Sequence, residues 1–164
     1  MLKFCVYQWD LNKDHLQAHI ERDKRMNSCN YDYLVKLVVR YILNGEYRHP
    51  ELKYWGWSEE VHEIDDCCYQ GVKLFIIPRD CVTDKGDYLI ASVNYGSCSV
   101  CDTLGGIQCE LSSVDDDIPT EQQVKDYMEL CKDIVCSIVH PFTHFWGETD
   151  GWQHMTIEDM EVNE

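Results

Sequence analysis

The chain has 164 residues, ten of them cysteine, and a net charge of −16 from 30 Asp and Glu against 14 Lys and Arg. That length supports one domain burying about 70% of the surface its unfolded chain would expose, so no covalent staple is required for folding. The charge excludes nucleic acid and anionic membranes as direct partners, no apolar run approaches the ~20 residues of a membrane span, and Asp10, Lys13 and Asp14 stand where a secretory signal would be apolar. The chain reads as soluble and cytoplasmic, where cysteines serve more often as packed thiols or metal ligands than as disulfides.

In chain order, LKFCVYQW (2–9) alternates and is rich in β-formers, which predicts a strand with Leu2, Phe4, Val6 and Gln8 on one face. Asp10 to Arg25 has a weak helical period through Leu11, His15, Leu16, His19 and Ile20. A firmer helix is predicted from Tyr31 to Leu43, stopped by Asn44-Gly45. The next stretch reads as a loop with an aromatic cluster of Tyr54, Trp55 and Trp57. GVKLFIIP (71–78) and GDYLIASVNY (86–95) then form a hairpin joined by RDCVTDK, with Asp80, Asp84 and Lys85 as turn residues before Gly86. If the turn centres near residue 83, facing positions sum to about 166. After the acidic run at Asp115, PTEQQVKDYMELCKDIVCSIV is a helix with a capping-box pair, Thr120 and Gln123, and Cys131 and Cys136 fall on it as core or surface thiols. The expected fold is a single α+β domain over 1–164. A small antiparallel sheet built on the central hairpin packs with two to three helices, and 140–164 forms an acidic tail containing aromatics.

The hairpin arithmetic gives the octapeptide YGSCSVCD (95–102) its meaning. Cys98 falls opposite Cys68, so Cys67-Cys68 and Cys98-x-x-Cys101 meet at the hairpin mouth. Cys109 can return as a fourth donor after the flexible Leu104-Gly105-Gly106. Thiolates and imidazoles in such a group hold zinc in a closed tetrahedral structural site. The expected ligands are Cys68, Cys98, Cys101 and Cys109, with Cys67, His62, His140 or His144 as substitutes. A redox pair is the alternative, and it requires the first cysteine at a helix amino terminus. The two glycines after Cys101 speak against a helix there. There is no G-x-S-x-G, no H-E-x-x-H and no phosphate-binding glycine loop.

Charge is distributed unevenly. Residues 1–85 carry 14 acids against 12 Lys and Arg, whereas residues 86–164 carry 16 acids against Lys125 and Lys132 alone, a balance of −14. Phe142, Phe145, Trp146 and Trp152 are interleaved with those acids, a composition suited to an ordered surface for a basic partner.

The runs at Tyr69 to Gly71 and Tyr95 to Leu104, followed by the PTEQQVKDYM helix, resemble a group of small phage and prophage proteins of unknown function marked by a Y-G-S-C-S-x-C-D-x-L block. Within phage proteins of this size and charge, the chain is similar to zinc-containing anti-CRISPR proteins, inhibitors of the Cas9 type. That resemblance implies a non-enzymatic inhibitor in a phage-infected or lysogenic host, with a structural zinc. It would block nucleic-acid loading or cleavage by occupying basic channels on Cas9 that otherwise meet phosphates. The contact carboxylates would be Asp115, Asp116, Asp117, Glu121, Glu158, Asp159 and Glu161, with Trp146 and Trp152 as anchors. The competing readings are a cytosolic thiol-redox or metal-dependent enzyme using Cys98 and Cys101, and a phage adaptor for another host protein.

Overall fold

The structure, a computed structural model, describes residues 3–45, 56–65, 68–80, 87–109 and 118–140. It is an α+β fold whose described residues form four α-helices and one three-stranded antiparallel sheet in the order β1-β2-β3.

The first element corrects the expected strand. Lys3–Ile20 is a helix, α1, with Phe4, Cys5, Gln8, Trp9, Asn12, Leu16 and Ile20 buried. Most of these recur every fourth residue, the helical period. Two polar residues in the stripe, Gln8 and Asn12, conceal that period from a hydrophobicity count, while Phe4, Val6 and Tyr7 imitate a strand. Inside the core the two are linked: Asn12 Nδ2 donates to the Gln8 side-chain and backbone oxygens, both at 3.0 Å.

A 3₁₀ turn at Met26–Ser28 leads to α2, Tyr31–Leu37, capped where the Asn30 side chain accepts from Tyr33 N. The helix then widens into a π-helical turn, Val38–Leu43, closed by Asn44 N donating to Val39 O at 2.8 Å. The expected end of this helix holds, and its last turn and a half is π rather than α.

A strand not foreseen in the aromatic loop, β1 (His62–Ile64), pairs with β2 (Gly71–Pro78), which pairs with β3 (Tyr88–Tyr95). Gly71 faces Tyr95 and Pro78 faces Tyr88, so the facing residues of the hairpin follow the expected sum of 166 along its whole length. Tyr54, Trp55 and the turn residues Asp84, Lys85 and Gly86 lie outside the described residues. Trp57 is buried beneath the Arg79 guanidinium, 4.5 Å from its ring, and Asn44 holds its backbone from both sides.

Thr103–Cys109 is a short helix, α3, where glycines had argued against one, and α4 spans Glu121–Ser137 behind the expected Thr120–Gln123 capping box. Phe75, Ile77, Leu89, Ala91 and Val93 from one sheet face join α1, α2, α3 and α4 in one hydrophobic core. Tyr127 and Gln108 both donate to Met26 O, at 2.8 and 3.2 Å, tying α4 and α3 to the 3₁₀ turn. No helix among the described residues is long and apolar enough to cross a membrane.

A polar clamp closes the turn between α1 and α2. Asp23 accepts from Arg25 Nε and Nη2, at 3.0 and 3.1 Å, and from the Tyr33 hydroxyl. Burial alone would raise the Asp23 carboxyl, but these donors outweigh it and hold the group well below the usual carboxylate range. Stabilisation from such a carboxyl is complete above the unfolded value of about 3.9, and it is lost as pH falls below that toward the depressed folded value. Asp23→Asn is therefore expected to melt earlier than the unaltered chain at pH 7. The gap should narrow steadily below about pH 4, as read from melting temperatures of both across pH 2 to 7.

Candidate functional site

The sheet hands the chain directly to the cysteine turn. β3 ends at Tyr95, and the next residues reverse direction tightly: Cys101 N and Asp102 N both donate to Cys98 O, at 2.9 and 2.8 Å. Gly96 makes the reversal possible. A Cβ there would stand 2.3 Å from the Cys101 carbonyl oxygen, a distance no side chain tolerates. Gly106 serves the other side, since a Cβ there would meet Ser99 O at 3.0 Å. Gly106, one of the two glycines that argued against a helix, thus sits where α3 lies closest to the turn, and the burial of Leu104 and Ile107 outweighs the low helix propensity of the pair.

Those contacts are specific. Asp102 Oδ1 accepts from Gly105 N at 2.6 Å, the pattern of a helix N-cap. Its other oxygen accepts from Gly96 N at 3.1 Å and from the Tyr31 hydroxyl at 3.3 Å. Leu104 N in turn donates to the Tyr31 oxygen at 3.2 Å. Leu104 and Ile107 are buried, and Gln108 donates to Cys29 O at 2.8 Å.

On this frame Cys98 and Cys101 are both exposed, with their sulfurs 2.9 Å apart. The hydrogen bond from Cys98, and a second from Ser97, lower the Cys101 thiol to about 7. Burial does the reverse elsewhere: it pushes Cys5 up to about 12 and Cys29 up to about 11, and raises Cys131 further. Cys131 is enclosed in the core and Cys136 is half-buried, as their helical positions implied. The neighbours of Cys101 thus favour its anion near neutral pH, whereas burial disfavours the anion at Cys5, Cys29 and Cys131.

Of the four expected zinc ligands the structure brings two together. Cys68 is exposed at the hairpin mouth, where its carbonyl accepts from the Tyr95 hydroxyl at 2.7 Å. Cys109 is carried to the far end of α3, about 10 Å along the helix axis. Among the described residues no three Cys, His, Asp or Glu side chains form a group that could hold a metal. His62 is exposed on β1, and His140 Nε2 bonds Asp87 Oδ1 at 2.5 Å. Cys67 and His144 lie outside the described residues.

Among the expected partner residues, Glu121 is exposed in the first turn of α4. It borders a groove of ≈ 710 Å³ in which Glu21, Glu121 and Glu129 outnumber Lys125, around Pro119, Val124 and Met128. Asp115, Asp116, Asp117, Trp146, Trp152, Glu158, Asp159 and Glu161 lie outside the described residues.

Sequence reasoning missed Asp102, whose role as hub depends on Tyr31, 71 residues away. Its one local signal is an Asp placed immediately before Thr103, the usual composition of a helix start. Comparison with protein-family models, curated proteins and solved structures gave no match.

Asp102→Ala should destabilise the chain by about 2–3 kcal/mol, since it removes a cap and two further hydrogen bonds to a charged acceptor. Asp102→Asn, which keeps one carbonyl acceptor, should cost about 1 kcal/mol, with urea denaturation as the measurement.

Proposed function

We propose that Cys98 and Cys101 are a redox-active dithiol that exchanges with protein or small-molecule disulfides. The observation that carries this reading is the contact of the two exposed sulfurs at 2.9 Å, in a turn fixed from both sides. The helix follows the second cysteine, Cys101, rather than starting at the first as the sequence reading required, and it is Cys101 whose thiol is lowered. The Cys101 thiolate attacks one sulfur of the substrate disulfide, forming a mixed disulfide and releasing the other sulfur as a thiolate. Cys98 loses its proton to solvent and attacks the Cys101 sulfur, releasing the second substrate thiolate. Two electrons pass from the pair to the substrate, and the protein is left with a Cys98–Cys101 disulfide.

Iodoacetamide at pH 7 should alkylate Cys101 about ten times faster than an ordinary exposed thiol. With a dithiol reductant present, Cys98→Ser should stop at the mixed disulfide on Cys101 after releasing one aryl thiolate there, and Cys101→Ser should lose that first step. Both should abolish catalytic turnover of a small aromatic disulfide while shifting the melting temperature by less than about 2 °C. A large drop in melting temperature on either substitution, or on chelation of the unaltered chain, would instead favour the zinc staple and sink the redox reading.

The uneven charge favours a second reading, a non-enzymatic protein that binds a basic surface, with Cas9 as the partner that the resemblance implies. Support comes from the −14 balance of residues 86–164 and from the acidic groove beside Glu121. In this reading the zinc is structural, with Cys98 and Cys101 as two of its ligands. Exposed ion pairs contribute only about 0–1 kcal/mol each, so the charges act as a set. Affinity for immobilised Cas9 should fall at least tenfold between ~50 and ~300 mM salt, and again when Asp115, Asp116 and Asp117 are changed together to Asn. Binding indifferent to salt would remove the acidic surface from the account, and no binding at any salt would remove Cas9.

A further inference from the structure

The clamp at the end of α1 contains an arrangement that its structural role does not require. Asp23 is fixed as a carboxylate by the Arg25 fork and the Tyr33 hydroxyl, and His19 Nε2 lies 3.1 Å from its Oδ2. A carboxylate at Nε2 selects the tautomer with the proton on that nitrogen, which leaves Nδ1 as a lone-pair acceptor. Nδ1 is 3.0 Å from the Tyr41 hydroxyl. Hydroxyl, imidazole and carboxylate thus stand in series, the order in which a general base activates an oxygen nucleophile and a third group orients the base.

Two independent features point the same way. Tyr41 is carried by the π-helical turn, a local widening of the helix that concentrates at functional sites. Tyr41, His19 and Asp23 also line one open surface depression of ≈ 390 Å³, to which Arg22 brings a fixed positive charge. A guanidinium beside a nucleophile suits an electrophile with anionic or strongly polar oxygens.

We propose that Tyr41 is a covalent nucleophile, activated by His19 and oriented through Asp23, for tetrahedral phosphoryl or sulfonyl groups that reach this open depression. The Tyr41 oxygen forms a bond to phosphorus or sulfur, and the leaving group departs with its bonding electron pair. The hydroxyl proton passes to His19 Nδ1, and the resulting imidazolium is held by Asp23 until the proton is released to the leaving group or to solvent. Tyr41 and His19 touch the reacting atoms, and Asp23 is a positioning residue.

An aryl sulfonyl fluoride tests this directly, since attack forms an O–S bond, breaks the S–F bond and releases fluoride. Tyr69 is the internal control, 82% exposed against a half-buried Tyr41. Accessibility alone would label Tyr69 first. Peptide mapping by mass spectrometry should find Tyr41 modified at least about tenfold faster, with that advantage lost in His19→Gln. Preferential labelling of Tyr69, or an unchanged Tyr41 rate in His19→Gln, would overturn the proposal.

Should His19→Gln fail to fold, the pH profile of the unaltered chain decides. Around His19 stand His15 and Arg22 from α1, Asp23 and Arg25 from the turn, Tyr33 from α2 and Tyr41 from the π turn. A Tyr41 rate that rises through the histidine range near ~6.5 supports base activation. A rate that rises only toward the phenol range near ~10 refutes it.

Discussion

One carboxylate fixes the geometry on which the candidate site depends. Asp102 receives a hydrogen bond from the end of the sheet through Gly96, from the first turn of α3 through Gly105, and from α2 through Tyr31. Each is a bond to an ionised acceptor, the kind that contributes most to position. The cysteine turn lies between the first two anchor points, so Cys98 and Cys101 are set by the same contacts that dock α3 into the core. A loop of small residues such as GSCSVC would otherwise sample many conformations, and holding two sulfurs in contact would then carry a conformational entropy cost. Here the docking of α3 meets that cost during folding.

The chain separates its thiol chemistry by environment. Cys5, Cys29 and Cys131 lie in surroundings that disfavour the thiolate, and they act as small hydrophobes. Cys101 has neighbouring donors and open solvent, which favour the anion. Cysteine count alone therefore says little about reactivity. Burial and local donors decide it, and both are properties of the folded state.

What was legible in the sequence follows the range of the forces involved. The Thr120–Gln123 capping box and the stop after Leu43 rest on contacts a few residues apart, and the hairpin register, which pairs residues 10 to 24 apart, follows from one turn between two β-rich runs; the pattern of residues expressed all three. Helix α1 was not legible because its buried stripe includes Gln8 and Asn12, polar residues that the core accommodates through hydrogen bonds such as those from Asn12 to Gln8. Helix α3 was obscured by Gly105 and Gly106, while the contacts that hold it, Leu104 N to the Tyr31 hydroxyl and Gln108 to Cys29 O, join residues more than seventy positions apart. At the site, the C-x-x-C spacing announced two adjacent thiols. The Tyr31–Asp102 link and the Tyr41–His19–Asp23 series join segments by spatial proximity, to which periodicity is blind.

The way α1 is buried has a consequence for synthesis. Its apolar face, from Phe4 through Trp9 to Leu16, packs against the π-helical turn and α4. More than a hundred residues separate the beginning of α1 from Glu121, where α4 starts. A ribosome adding ~5–20 residues per second leaves the first helix without its second wall for several seconds or longer. During that interval Phe4, Trp9 and Leu16 form an exposed apolar stripe on the nascent chain, the kind of surface that chaperones bind. The order of elements thus makes the first helix of this fold among the last of its parts to be enclosed.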